Sequence, residues 1–207
     1  MTVRGEAVIR AEPDEAVLWV TLSALDAAPG PALADVSART GGLMALLDEL
    51  GVARGDRSTS GITVHEDFDH TSEGRRSLGH RASATVSVRM SDTELIGRLV
   101  SQATSDLEAR IDGPRWQIAR DNPVHLEAAR EAAADAQRKA QAYAEGVGVR
   151  LGRLLRLTEP DGGGPMIRAA STRAMAVDHM DVEAGELEVS ASIRATFALD
   201  LDAPDST

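Results

Sequence analysis

The chain contains no cysteine, so it has no disulfide framework, thiol nucleophile or thiolate metal site. Aromatic residues are nearly as scarce: two Trp, one Tyr and two Phe in 207 residues leave little to stack on nucleic-acid bases. Basic charge is also in short supply. The formal net charge of −11 and an isoelectric point near 4.9 repel phosphate backbones and anionic lipid, which argues against a nucleic-acid partner. No stretch approaches the ~20 apolar residues of a spanning helix, so no membrane insertion is expected. The start MTVRGEAVIRAEPDE places glutamates where a secretory leader needs an uninterrupted apolar core. As written, the sequence reads as cytoplasmic, in keeping with a reducing compartment.

What is present suffices for a packed fold. With 43% hydrophobic and 27% charged residues, the chain can fill one substantial core or two small ones. We expect one domain over 1–207, with an ordered core of about 2–200 and a flexible loop at 161–185. Val3 to Ala11 and Glu15 to Leu25 alternate around the turn signal Glu12-Pro13-Asp14, predicting a hairpin. Val17, Trp19, Thr21 and Ser23 share one face of the second strand and Leu18, Val20 and Leu22 the other, which marks it as central.

Pro31 to Leu50 has helical spacing, with Gly41-Gly42 as a place for a kink. Ser58 to Phe68 and Leu78 to Met90 form a second hairpin, with Asp69 to Arg76 as its tip and Ala82, Ala84, Val86 and Val88 on one face. Ser91-x-x-Glu94 reads as a capping box for a helix to Ser105, and Arg115 to Arg120 as a short strand. Asn122 and Pro123 start a long third helix that Gly146 stops. Its apolar stripe is read as Leu126, Ala129, Ala133, Ala136, Ala140, Tyr143 and Val147, narrow enough for close packing on a sheet. Leu151 to Glu159 and Glu186 to Leu201 close the chain as strands.

The expected fold is therefore α+β: a mostly antiparallel sheet of long hairpins with helices packed on one face, in the order ββα-ββα-β-α-ββ. Its first two thirds hint at a repeated ββα unit, without residue-level repetition.

The segment ADAQRKAQAYAEGVGVRLGRLLRLTE closely resembles the pattern of the SIMPL domain family, also called DUF541 or the periplasmic 26 kDa immunogenic protein family. VRGEAVIRAEPDEAVLWVTL is similar to that family's first hairpin, and VEAGELEVSASIRATFAL to its terminal strand. STSGITVHEDFD and GHRASATVSVRMSD resemble its middle hairpin, so the resemblance spans about residues 2–200. It implies an α+β fold, ring-like or channel-like homo-oligomers in some members, and loosely defined envelope, stress-linked or adaptor roles. It brings no catalytic residues. Many bacterial members begin with a signal peptide, from which this sequence departs.

One segment stands out as a candidate metal site. In His65-Glu66-Asp67-Phe68-Asp69-His70, strand alternation puts His65, Asp67 and Asp69 on one side and Glu66, Phe68 and His70 on the other, with His80 available from the return strand. Imidazole with carboxylate suits zinc or manganese. The plainer reading is a solvated acidic hairpin tip, since the spacing matches no established metal motif.

Asp161-Gly162-Gly163-Gly164-Pro165 lacks the Lys-Ser/Thr of a phosphate loop and reads as a connection. Met166, Met175 and Met180 suit either an adaptable partner surface or packing onto the protein's own core. Glu131, Asp135, Arg138 and Lys139 form a charged helix face, solvated by default and available for intersubunit ion pairs in an assembly. With no nucleophile elbow and no helical His-x-x-x-His pair, the sequence points to a non-enzymatic protein with no catalytic residues and no cofactor. It would act by homo-oligomerisation or by binding a protein partner. The alternatives are a metal- or small-molecule-binding protein using the His65 to His80 hairpin, and a sheet pocket holding a lipid-like ligand.

Overall fold

The computed structural model describes residues 1–71, 74–159, 166–169 and 185–200. Among them are three α-helices and eight strands. The chain gathers into two compact units, Met1–Pro13 with Ile118–Thr207, and Asp14–Gln117. The expectation of an α+β protein built on antiparallel sheets holds, but with a sheet in each unit.

The Asp14–Gln117 unit runs β2 (Glu15–Asp26), α1 (Pro29–Glu49), β3 (Arg57–Thr71), β4 (Gly74–Met90), α2 (Thr93–Leu107) and β5 (Arg110–Gln117). Its sheet order is β3-β4-β2-β5, with every neighbouring pair antiparallel. This is the split βαβ arrangement of ferredoxin-like folds. β2 is central, as its two half-apolar faces imply. Ala16, Leu18, Val20 and Leu22 face Met90, Val88, Val86 and Ala84 in register on the buried side.

α1 contributes Leu43 and Leu47 to this core, and α2 contributes Ile96, Leu99 and Ala103. Each fully buried Leu or Val stabilises by about 1.5–3 kcal/mol relative to leaving it in water. α1 runs unbroken through Gly41-Gly42, and a Cβ on Gly42 would already meet the Leu107 side chain at 3.0 Å. Packing against α2 offsets the helix propensity lost there. The α2 cap lies one residue beyond the expected capping box: Asp92 accepts from the N–H of Glu94 at 2.8 Å and of Leu95 at 3.2 Å. A carboxylate at that position meets both the free amides and the helix dipole.

The other unit contains β1 (Thr2–Ala11), α3 (Val124–Gly146), β6 (Arg150–Thr158), β7 (Met166–Ala169) and β8 (Leu187–Asp200). β8 pairs with β1 along one edge and with β6 and β7 along the other. Three sequence expectations are corrected here. β1 and β2 are not a hairpin: β1 pairs with β8, whereas β2 pairs with β4 and β5. The Glu12-Pro13-Asp14 turn carries the chain from one sheet to another, so the apparent ββα repeat is not a structural unit. The segment expected to be a loop contains the short strand β7, and its residues 170–184 lie outside the described residues. The strand expected at Arg115 to Arg120 begins instead at Arg110 and ends at Gln117.

The buried stripe of α3 also differs from the expected one. Val124, Ala128, Ala132, Ala136, Ala140 and Ala144 face the core at steps of four, while Leu126, Tyr143 and Val147 are 63%, 59% and 70% exposed. A four-step row forms a ridge along the helix. Made of alanine, it lets β1 approach the helix backbone closely, which larger side chains would prevent. Asn122 does cap the helix, its Oδ1 accepting from the Val124 N–H at 2.9 Å. The stop is Gly148 rather than Gly146: at φ 71° it closes a motif in which Val149 N–H donates to the Ala144 carbonyl and Gly148 N–H to that of Glu145.

Candidate functional site

β3 and β4 form a hairpin whose 15- and 17-residue strands hold all the metal-site candidates. The register places Glu66 opposite His80 and His65 opposite Arg81. Directly opposed residues share a face, so His80 lies on the Glu66 side and His65 on the other. Asp67 shares the His65 face, where Arg81 holds it through Nε at 2.7 Å and Nη2 at 2.6 Å. This hydrogen-bonded guanidinium keeps the Asp67 carboxyl below its ordinary pKa.

The remaining partners are structural. Glu66 accepts from Ser77 Oγ at 2.6 Å, and His80 Nδ1 lies 3.3 Å from the Ala27 carbonyl oxygen. The Arg75 guanidinium stacks 3.3 Å from the centre of the Phe68 ring. His70 pairs with Arg75 through the backbone register; its side chain lies outside the described residues. The structure thus brings Asp67 to Arg81 and separates His65 from His80. Among the described residues no group of three or more His, Asp or Glu is arranged to hold a metal ion.

Two concavities in this unit have polar linings. The larger, about 320 Å³, is bordered by Asp48, Arg54 and Arg57. Arg57 is committed there to the Asp48 carboxylate and, at 3.1 Å, to the Met44 carbonyl. The second, about 280 Å³, lies beside Trp19 and Thr21 on the open face of the sheet. Arg115 stands 4.6 Å from the Trp19 ring and pairs with Asp112 at 3.3 Å. The glycine run 162–164, Met175 and Met180 lie outside the described residues, as does the Met166 side chain.

The sheet edges are more telling. An unpaired edge exposes main-chain donors and acceptors to any passing strand, so folded proteins blunt them. On β1, Asp135 Oδ2 accepts from the Glu6 N–H at 2.9 Å, and Lys139 Nζ donates to the Arg4 carbonyl at 3.3 Å, while the two side chains pair at 2.7 Å. Part of the charged face of α3 is therefore a latch on the β1 edge. β5 carries Pro114 and faces a register shift between Val17 and Trp19. β6 is broken by register shifts around Leu154.

β3 has none of these devices between Gly61 and Asp67. Among the described residues it pairs with β4 alone; register shifts flank the stretch at Thr59/Gly61 and Asp67/Phe68, but within it the register runs unbroken, and the strand contains no proline. Ile62 is 63% exposed and Val64 41%. Sequence reading missed this edge because Ile62 and Val64 alternate with polar residues as a buried face would. The only warning was the hydroxyl-rich run TSGIT leading into acidic residues, which suits a strand wet on both faces.

Comparison with known proteins agrees with this chain's segment-by-segment resemblance. It is 26% identical over 215 residues to the 26 kDa periplasmic immunogenic protein of Brucella melitensis, covering 96% of this chain and 84% of the relative. The protein of the same name from Brucella abortus matches at the same identity and coverage. The relatives' names place them in the periplasm, and nothing in the comparisons supports the cytoplasmic location expected above. A de novo designed protein, Foldit4, aligns at 15% identity over 51% of this chain and 99% of its own, with a TM-score of 0.27, too low to bear on the fold. The family model described as SIMPL, protein of unknown function (DUF541), matches residues 1–197, and the chain belongs to that family.

Proposed function

We infer that the protein works by protein–protein contact, self-association included, and not by catalysis, with the outer edge of β3 as its docking edge. The observation that supports this reading is the contrast between β3 and the edge strands β1, β5 and β6. β1, β5 and β6 are latched, proline-bearing or bulged, whereas β3 keeps an unbroken stretch from Gly61 to Asp67 with Ile62 and Val64 in solvent. Strand addition to such an edge draws affinity from main-chain hydrogen bonds and specificity from alternate side chains. The relatives' names suggest an envelope setting for this contact.

The test is the mass in solution across a wide concentration range, for the wild-type chain and for Ile62→Lys/Val64→Lys. Lysine on an edge opposes strand addition, so association is expected in the first and its loss in the second, with unchanged circular dichroism. A wild-type chain that stays monomeric throughout, or association that survives both lysines, would remove the basis for this reading.

A further inference from the structure

We propose that the occupant of the β3 edge is a second copy of the chain, added antiparallel about a two-fold axis through Thr63; this rests on the reading of β3 as a docking edge. Two identical antiparallel strands side by side are related by a two-fold axis perpendicular to the sheet. Opposed residues then lie on the same face, and each symmetric register centres on one residue.

The unbroken register of β3 from Gly61 to Asp67 narrows the choice. Of the registers that keep at least two residues on each side of the axis within that stretch, centres fall at Thr63, Val64 and His65. Centring on Val64 sets Ile62 against the second copy's Glu66, and centring on His65 sets Val64 against Glu66. Both place a carboxylate opposite an exposed aliphatic side chain.

Centring on Thr63 sets Ile62 against the second copy's Val64, and Val64 against its Ile62. Gly61 then meets His65. Opposed aliphatic pairs stabilise a sheet, and this register repeats that pair on both sides of the axis without opposing like charges. Ile62 and Val64 lie opposite Ala84 and Ala82 of β4, so the new apolar contact would continue the buried face of the sheet. The two four-stranded sheets would join into one, with β3 central in place of exposed.

The lack of cysteine makes the register directly readable. Residues opposed across antiparallel strands have Cα atoms about 4.5–5.5 Å apart, within disulfide reach of about 4.4–6.8 Å. In this register only Thr63 faces its own copy. A residue two positions from the axis stands roughly 14 Å from its counterpart, too far to bridge. Single-cysteine chains Ser60→Cys, Thr63→Cys and His65→Cys are oxidised at a concentration where the wild type associates, then run on a non-reducing gel.

Thr63→Cys is expected to double in mass while the other two do not. An equimolar mixture of Ile62→Cys and Val64→Cys is expected to cross-link where neither does alone. Thr63 is exposed, and thermal unfolding of the reduced variant checks its fold. If the wild type associates but Ser60→Cys or His65→Cys cross-links in place of Thr63→Cys, or the mixture stays uncrosslinked, the register is overturned and the docking edge survives. If the wild type never associates, both fall.

Discussion

Gly5 lies so close beneath α3 that a Cβ built on it would stand 2.0 Å from the Ala132 carbonyl oxygen and 2.7 Å from the Ala136 Cβ. Neither neighbour has a flexible end that could swing aside, since one is backbone and the other the single carbon of an alanine. This contact sets how near the helix lies to its sheet, and it accounts for the alanine ridge opposite.

Gly5→Ala should therefore destabilise the fold by about 1–3 kcal/mol, the usual range for overpacking a closed core, and Gly5→Val by more. Urea denaturation of the two variants measures this. A Gly5→Ala protein as stable as the wild type would show that the contact relaxes freely.

The displaced stripe on α3 gives a second test. Ala136→Leu should cost about 1–3 kcal/mol because its methyl already fills the interface. Leu126→Ser, at a side chain 63% exposed, should change stability by no more than about 0.5 kcal/mol. Reading the stripe from the larger apolar residues predicts the reverse order, so thermal midpoints of the two variants decide between them.

The latch on β1 should be visible as pH dependence. Asp135 is held below its ordinary pKa, first by the hydrogen bond from Lys139 and then by the Glu6 N–H, and Lys139 is raised by its bond to Asp135. A depressed carboxylate stabilises fully above its unfolded pKa of about 4, and that contribution is lost as pH falls through the lower folded value. A raised ammonium stabilises fully below its unfolded value of about 10.4 and loses that contribution as pH rises through the folded one. The stability difference between the wild type and an Asp135→Asn/Lys139→Met chain should be level across neutral pH and shrink at both extremes. Urea midpoints over a pH series read this directly.

The α2 cap separates two neighbouring residues. Asp92→Ala should destabilise by about 1 kcal/mol, a typical N-cap loss, and faster amide exchange in the first turn of α2 should accompany it. Ser91→Ala should stay within about 0.5 kcal/mol, because the N–H groups of Glu94 and Leu95 are held by Asp92.

Zinc added to the protein should show no stoichiometric heat of binding that His65→Ala or His80→Ala removes. The two imidazoles lie on opposite faces of the hairpin, and Asp67 is already bound to Arg81. Titration calorimetry on the wild type and both variants checks it, and a shared loss of binding would restore the metal reading.

Local patterns were legible wherever a neighbour in sequence supplies the physics. The central position of β2, the buried face Ala82 to Val88 and the Asn122 cap are in this class. Alternation and capping depend on residues within a few positions of one another, so one chain suffices to read them. Partnership was not legible. β1 followed by a turn and β2 looks like a hairpin in any local window, yet β1 pairs with β8, nearly the whole chain away. The grouping of the candidate metal residues was illegible for a related reason: one step along a strand reverses the face, and only the register between β3 and β4 decides which residues meet.

By itself, the sequence determined the class of fold, most element positions, the membership in a family, and the absence of thiol chemistry. The family follows from the resemblance of its segments over about residues 2–200, and the rest from composition or short-range periodicity. Tertiary structure alone decided which edges of the sheets are closed. Asp135 and Lys139 read as a solvated charged face until Arg4 and Glu6 are placed beneath them, and Ser58 to Phe68 reads only as one strand of a hairpin until β3 is found at the end of its sheet with Ile62 and Val64 exposed. An edge is a property of strand order, and strand order is set by contacts between residues distant in sequence.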